Sequence, residues 1–467
     1  MAIGDEEGSV KFVESAKDGT PAFDDTHLAI RPHINAIIDI VFSEDDLQLG
    51  TASGDQTARV VDMTTQTCTA IFAHHSASLK QIRFQPGNDS ILATSSRDGT
   101  IQIWDRRCKG ADGPAHFMHH AIENNVRVEQ ASTKITYGRP VNSMYDAHRT
   151  WNTTRISPSR IDASPREGPG ETRAGSVSVT ALQFLPVGQE HLLLSACEAD
   201  ASVRLWDIRL LYNKSKGSPT PISITKPPPL HSSWRHFGNN SINISGDGSR
   251  IYTLCKDNTV YAYSTAHLIA GHAPELARTT QTRAGPQRGV QEGLAPLYGF
   301  RHPKMHATTF YVKSAIRKAK DGKSELLAVG SSDHCALLFP TDERYLKFPD
   351  STSTPPSDGT LFGPSLPLLR RPTLRKSGSG IGLGGRGENP IPICTNGTAL
   401  VRGHDAEVNA LCWSNDGELI TVGDDFNVRC WREGSDAREL RQGGETQGRR
   451  WNCGWAEVSE TYDEDDD

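Results

Sequence analysis

Short runs of alternating apolar and polar residues recur along this chain, and each follows a turn that carries an aspartate. TIQIWD (100–105), SVRLWD (202–207) and NVRCW (427–431) repeat with the two-residue period of a β-strand, which puts successive side chains on opposite faces. Six times an aspartate stands six positions before a bulky apolar residue: Asp55 and Val61, Asp98 and Trp104, Asp200 and Trp206, Asp257 and Tyr263, Asp333 and Phe339, Asp425 and Trp431. Ahead of each aspartate lies a small or apolar run, and ahead of that another predicted strand: 34–42, 79–84, 178–184, 240–245, 309–314 and 408–413.

A short aspartate side chain can accept backbone N–H groups within a turn, and Gly or Asn beside it tolerates the bend. The unit is therefore strand, strand, aspartate turn, strand, and both faces of the resulting sheet carry apolar side chains. Ile101 and Ile103 share one face, Gln102 and Trp104 the other. A single sheet cannot bury two faces; blades stacked radially into a ring can, and the edges left over are short. The prediction is an all-β, seven-bladed WD-repeat propeller spanning 1–459, with Trp104, Trp206 and Trp431 packed between blades. His33, His75, His302 and His404 stand just ahead of first strands, where such repeats bond a histidine to the turn aspartate. They are read as structural.

The seventh unit is partial. GDEEGSVKFVE at the N-terminus reads as a turn and third strand with Glu7 in the aspartate position, so the first blade is expected to be incomplete and to lack its first two strands. Either sequence is missing upstream or the segment RRWNCGWAEV (449–458) helps to close the ring; the first is favoured, because an unpaired blade edge invites aggregation. Long polar inserts at 109–176, 211–233, 265–296 and 341–398, rich in Pro, Gly, Ser and Arg, are expected to be mobile loops. Arg370, Arg371, Arg375 and Lys376 form a short basic run that reads as solvated charge, with nuclear import or nucleic-acid contact as the rival. Residues 460–467 form an acidic tail.

Composition narrows the functional classes. With 36% hydrophobic residues and a formal net charge of −6, the chain can build a large core and has no general attraction for nucleic acid or anionic membrane. Nine cysteines, scattered through predicted strands without a CxxC pair or zinc spacing, read as reduced core thiols. The start lacks an apolar signal segment and no stretch reaches membrane-spanning length, so a soluble protein of cytosol or nucleus is expected. No GxSxG, HExxH or P-loop is present, and no GxGxxG stands in a βαβ setting. The chain reads as a binding platform, with no enzyme activity, metal or cofactor expected.

Two consecutive blades end their third strands in WDxR: Trp104-Asp105-Arg106-Arg107 and Trp206-Asp207-Ile208-Arg209. The aspartate turns define the top face, so Arg107 and Arg209 should share the bottom rim, where a guanidinium fork suits a partner's carboxylate or carbonyls. Ordinary rim charge is the bland alternative. The paired WDxR, together with GTIQIWDRRCKGADG (99–113), SVRLWDIRLLYN (202–213), TFYVKSAIRK (309–318), VGSSDHCALLF (329–339), GHDAEVNALCW (403–413) and GWAEV (454–458), resembles the denticleless family of substrate receptors of cullin-4 RING ubiquitin ligases. That resemblance implies docking on the damage-binding adaptor of the ligase through Asp105, Arg107, Asp207 and Arg209. It also implies recognition of degrons on PCNA-bound proteins of replication, the cell cycle and the DNA-damage response, in the nucleus. The substrate face would be the top, around Gln56, Arg97, Lys256, His334 and Phe426, a set that rests on geometry alone. Animal members carry a long C-terminal tail with its own PCNA-binding motif, and no such motif is found in this sequence. No sequence-specific nucleic-acid contact is expected. The rival function is a chromatin- or histone-binding scaffold outside a ligase, which would require an acidic top pocket.

Overall fold

The computed structural model describes residues 1–13, 26–108, 110–112, 117–122, 126–131, 135–148, 177–211, 219–228, 231, 237–271, 291–292, 295–320, 322–346, 391–401, 403–434 and 455–457. Their strands form seven sheets, the blades of a β-propeller, and the only α-helix among them is the short Thr265–Ala270. No helix among the described residues is long and apolar enough to cross a membrane.

Blade 3 shows the unit. Leu79–Gln85, Asn88–Ser96, Ile101–Asp105 and Pro140–Met144 run antiparallel from the ring centre outward. The turn between its second and third strands carries Asp98, and Gly99 there takes a left-handed φ of 78° that glycine adopts without a Cβ penalty. Blades 2, 4, 5 and 6 begin with Ile37–Phe42, Val179–Phe184, Asn239–Ile244 and Ser314–Arg317. Blade 7 comprises Val408–Trp413, Leu419–Gly423, Val428–Glu433 and, as outer strand, Trp455–Glu457. The GWAEV segment thus contributes to the last blade.

Blade 1 corrects one expectation. Ala2–Gly4 pairs antiparallel with Val10–Val13, which pairs with Thr26–Arg31, so the strand before the turn is present as well as the one after it. Asp5 serves that turn, its Oδ1 accepting from the backbone of Glu7 and Ser9 at 3.0 and 2.7 Å. Among the described residues no strand pairs with the inner edge of Ala2–Gly4, and blade 1 is incomplete by its innermost strand only.

Apolar clusters fill six of the inter-blade contacts. Ala52, Val60 and Phe72 of blade 2 meet Ile82, Leu92 and Trp104 of blade 3; Ile101 and Ile103 meet Leu182, Leu193 and Trp206 of blade 4. Comparable clusters join blades 1 and 2, 4 and 5, 5 and 6, and 6 and 7. At the remaining junction Cys412 of blade 7 lies within electrostatic reach of the Met1 ammonium. The three tryptophans are buried as expected.

The segments read as loops also build blades. Phe117–Ile122 and Val126–Ala131 form a hairpin that extends blade 1 outward, and Ala111–Asp112 and Thr136–Tyr137 extend blade 2. Ser223–Ile224 and Thr398–Leu400 are the outer strands of blades 4 and 6, while Gln291–Glu292 and Ile393–Cys394 add parallel strands to blades 4 and 5. The two-residue strands Ala111–Asp112, Thr136–Tyr137, Ser223–Ile224, Gln291–Glu292 and Ile393–Cys394 were hidden because they hold too few residues for a period to show. Arg370, Arg371, Arg375, Lys376 and the tail 460–467 lie outside the described residues.

Candidate functional site on the two ring faces

Three of the repeat histidines, His33, His75 and His404, hold the top turns through both ring nitrogens. In blade 2, His33 reaches Asp55 at 2.9 Å through Nδ1 and Thr51 at 2.8 Å through Nε2; His75 and His404 do the same with Asp98 and Thr94, and with Asp425 and Thr421. Trp104 and Trp431 donate their indole N–H to the same threonine hydroxyls at 2.8 and 2.9 Å. Burial lowers the pKa of His33 and of His404, favouring the neutral ring. Asp55 and Asp98 lie far below the usual carboxylate range: burial opposes their charge, but bonds from His33 and Thr57, and from His75 and Thr100, outweigh it.

Blades 4, 5 and 6 vary this network. His148 bonds Ser195, which also accepts from Trp206, and His231 bonds Asp257 at 2.7 Å. His302, read as the blade 6 partner, instead accepts from the backbone of Lys304, and the Lys304 ammonium pairs with Asp333 at 3.0 Å. His148, Cys197 and Asp200, and likewise His231, Cys255 and Asp257, bring a histidine, a thiol and a carboxylate within 4.8 Å. The sulfur takes the place held by the Ser53 and Ser96 hydroxyls in blades 2 and 3. Burial pushes both thiols well above their ordinary pKa, which works against the thiolate a metal would need.

The bottom face carries the two forks. Arg107 donates from Nε and Nη2 to the two oxygens of Asp105 at 2.9 and 2.7 Å, and Arg209 donates to Asp207 at 2.9 and 2.6 Å. Each arginine side chain is more than 60% exposed, at 61% and 64%. Three of the five guanidinium N–H groups therefore remain for a partner, on a fork already held in one orientation. Arg106 turns away onto Gln48 and Thr69 of blade 2. Asn142 of blade 3 donates to the carbonyls of Ile208 and Leu210, so the two WDxR segments are braced against each other. Around them the rim exposes Val187 (72%) and Leu211 (81%), in a turn and a strand exit that also face downward. Sequence reasoning missed these apolar neighbours, and missed a third fork in which Arg344 grips Asp342 on blade 6. The signal was the Asp-x-Arg of TDER, displaced by two residues from the WDxR register.

On the top face, Gln56, His334 and Phe426 each occupy the turn position after the aspartate with left-handed φ of 69°, 56° and 62°. Such a conformation is costly for side chains of this size. Phe426 is 90% exposed. Arg97 and Lys256 belong to the turns of blades 3 and 5, their backbone N–H groups bonded to Ser78 and Gly238. The structure thus brings Asp105, Arg107, Asp207 and Arg209 to one face and the five other residues to the opposite one.

The family model described as WD domain, G-beta repeat matches residues 66–105 and 396–432. The chain is 26% identical over 420 residues to cell division cycle protein cdt2 of Schizosaccharomyces pombe, covering 88% of this chain and 61% of that protein. The chain is similar to denticleless-type WD-repeat proteins. Denticleless protein homolog B of Xenopus laevis is 24% identical across 97% of the chain and 48% of its own length, and the Homo sapiens denticleless protein homolog 24% identical across 92% and 44%. The chain thus spans about half the length of the denticleless-type relatives it matches, and the shared region is the propeller with its two faces.

Proposed function

We propose that this denticleless-type propeller is the substrate-recognition subunit of a cullin-4 RING ubiquitin ligase, acting in the nucleus without catalytic chemistry of its own. The bottom face docks on the damage-binding adaptor; the top face takes degrons of PCNA-associated replication and cell-cycle regulators for ubiquitination. The observation that carries the reading is the pair of preorganised Asp–Arg forks on adjacent blades. A fork held by its own aspartate loses little further freedom on binding, and the exposed Val187 and Leu211 beside it supply apolar area. The relatives' denticleless and cell-division-cycle names support the same assignment. A histone-binding scaffold would call for an acidic top pocket, whereas Lys80, Arg97 and Lys256 gather there.

Co-purification tests the docking half. Arg107→Ala combined with Arg209→Ala removes only exposed groups, so stability should change by about 0.5 kcal/mol or less. Each arginine anchor can contribute about 2 kcal/mol to an interface, so adaptor capture should collapse. Capture at wild-type yield would remove the main support for a ligase receptor.

A further inference from the structure

We propose that the top mouth of the central channel, where Lys80, Arg97, Lys256 and Lys313 converge around Phe310, seats an acidic side chain of a bound peptide. Lys80 lies on the first strand of blade 3 and Lys313 leads into that of blade 6, nearly opposite across the ring. Both ammonium groups nevertheless meet on one ring: the Lys80 Nζ stands 4.2 Å and the Lys313 Nζ 3.4 Å from the Phe310 centroid. Phe310 therefore reaches into the channel and gathers cations from both sides of it. Lys313 also donates to the Asn240 carbonyl at 3.0 Å. Arg97 and Lys256 add two more positive groups from the turns above.

The carboxylates beside this mouth are engaged by neutral groups: Glu407 accepts from Thr309 and Ser332, and Asp424 from Asn409. Glu198 is the carboxylate closest to Lys80 in electrostatic effect, while Asp39, deeper in the ring, is paired with Arg83. Among the described residues none of the four cations has a carboxylate within 4.0 Å. Burial and mutual repulsion with Arg97 and Lys256 hold the Lys80 pKa below its ordinary value, and burial, with Lys80, Arg83 and Lys256 beside it, lowers Lys313 further although Asp39 opposes the shift. Four like charges kept together in a partly desolvated mouth are an electrostatic cost that an entering anion would relieve.

A peptide fits better than a nucleic acid. The chain as a whole is acidic, at −6, which repels a polyanion while leaving room for a single carboxylate in a local positive well. The same face exposes Tyr311 (53%) and Phe426 (90%), apolar surface for residues flanking that carboxylate. This assignment rests on the reading of the top face as the recognition face and adds its chemistry: an aspartate or glutamate with apolar neighbours.

Fluorescence anisotropy on the whole chain tests it, using a labelled peptide with an Asp-Asp pair flanked by Phe, its Asn-Asn counterpart, and a single-stranded oligothymidylate of equal length. The acidic peptide should bind, and the Asn-Asn peptide should bind at least about tenfold more weakly. Arg97→Ala with Lys256→Ala should weaken the acidic peptide at least about tenfold while thermal unfolding and adaptor capture stay at wild-type levels. Equal binding of both peptides, an unaffected double variant, binding of the oligonucleotide alone, or no acidic-peptide binding up to about 1 mM would each overturn the proposal. Adaptor capture by the same variant separates the two claims. If wild-type chain binds the acidic peptide but no adaptor, the receptor reading fails and the anion site stands; the reverse result sinks the anion site alone.

Discussion

Asn142 of blade 3 donates its side-chain amide to the Leu210 carbonyl of blade 4 at 2.6 Å, directly beneath the two arginine forks. Its second acceptor is the Ile208 carbonyl at 3.1 Å, so one buried amide fixes the strand exit that presents Arg209 relative to the strand that lies beside Arg107. Asn142→Ala would leave those carbonyls short of a donor, at a cost of about 1–3 kcal/mol. Adaptor affinity should fall several-fold although neither arginine is touched, measured by titration against the purified adaptor. Unchanged affinity would mean that the forks act independently.

Trp206 is fully buried between blades 3 and 4 and donates to Ser195 at 2.8 Å. Trp206→Ala should destabilise by about 3–5 kcal/mol, through the lost apolar contact and the cavity left behind. Chemical denaturation measures it. A midpoint equal to wild type would show that the blade 3 and blade 4 contact does not contribute to global stability.

The propeller was legible because its signal is repeated: an aspartate turn followed by period-two alternation appears often enough that any one weak unit is rescued by the others. Blade 6 shows the limit. The chain there replaces the histidine bond with Lys304 on Asp333, and a histidine two residues earlier, His302, looks correct in sequence. Contacts made by short strands far apart in sequence were not legible, such as Phe117–Ile122 pairing with Thr26–Arg31. On the bottom face the WDxR arginines could be named in advance because the motif fixes their position at a strand end. The cationic mouth could not, since it joins Lys80 to Phe310 across the ring, and only closure of the blades brings them together.

Acid should destabilise the fold through its buried histidines. His33, His148 and His404 all have folded-state pKa values below 6.5, His148 the most, through burial and then the nearby Arg204. A depressed folded value means that the unfolded chain takes up the proton first. The stabilisation is therefore complete above about pH 6.5 and is lost as pH falls toward the folded values, at up to about 1.4 kcal/mol per pH unit for each histidine. Denaturation midpoints should hold from pH 7.5 to about pH 6.5 and fall from there to pH 5; a flat profile would show that these rings are not held neutral.

Deletion of residues 350–388 should leave the fold intact. The deletion must spare Ile393–Cys394, which adds a parallel strand to blade 5, and Thr398–Leu400, the outer strand of blade 6. Loop-closure entropy changes by only about 0.6 kcal/mol per doubling of length, so a short Gly/Ser joint should leave unfolding cooperative and the midpoint close to wild type. Loss of soluble protein would show that the segment packs on the ring.

Phe426 sets stability against recognition. It holds a left-handed φ of 62° and is 90% exposed, so it carries a backbone cost for an L-residue without burying its ring in return. A left-handed backbone costs about 1–2 kcal/mol for a residue with a Cβ, and glycine avoids it while losing some of the gain to a more flexible unfolded chain. Phe426→Gly should therefore stabilise the protein, by about 0.5–1 kcal/mol. His334→Gly relieves the same geometry at φ 56° and should also stabilise, without removing an aromatic surface. The two variants part in binding: acidic-peptide affinity should drop for Phe426→Gly and hold for His334→Gly. If both stabilise and neither weakens the peptide, the exposed phenylalanine has no role on the recognition face. If Phe426→Gly destabilises, the ring is packed against something in solution.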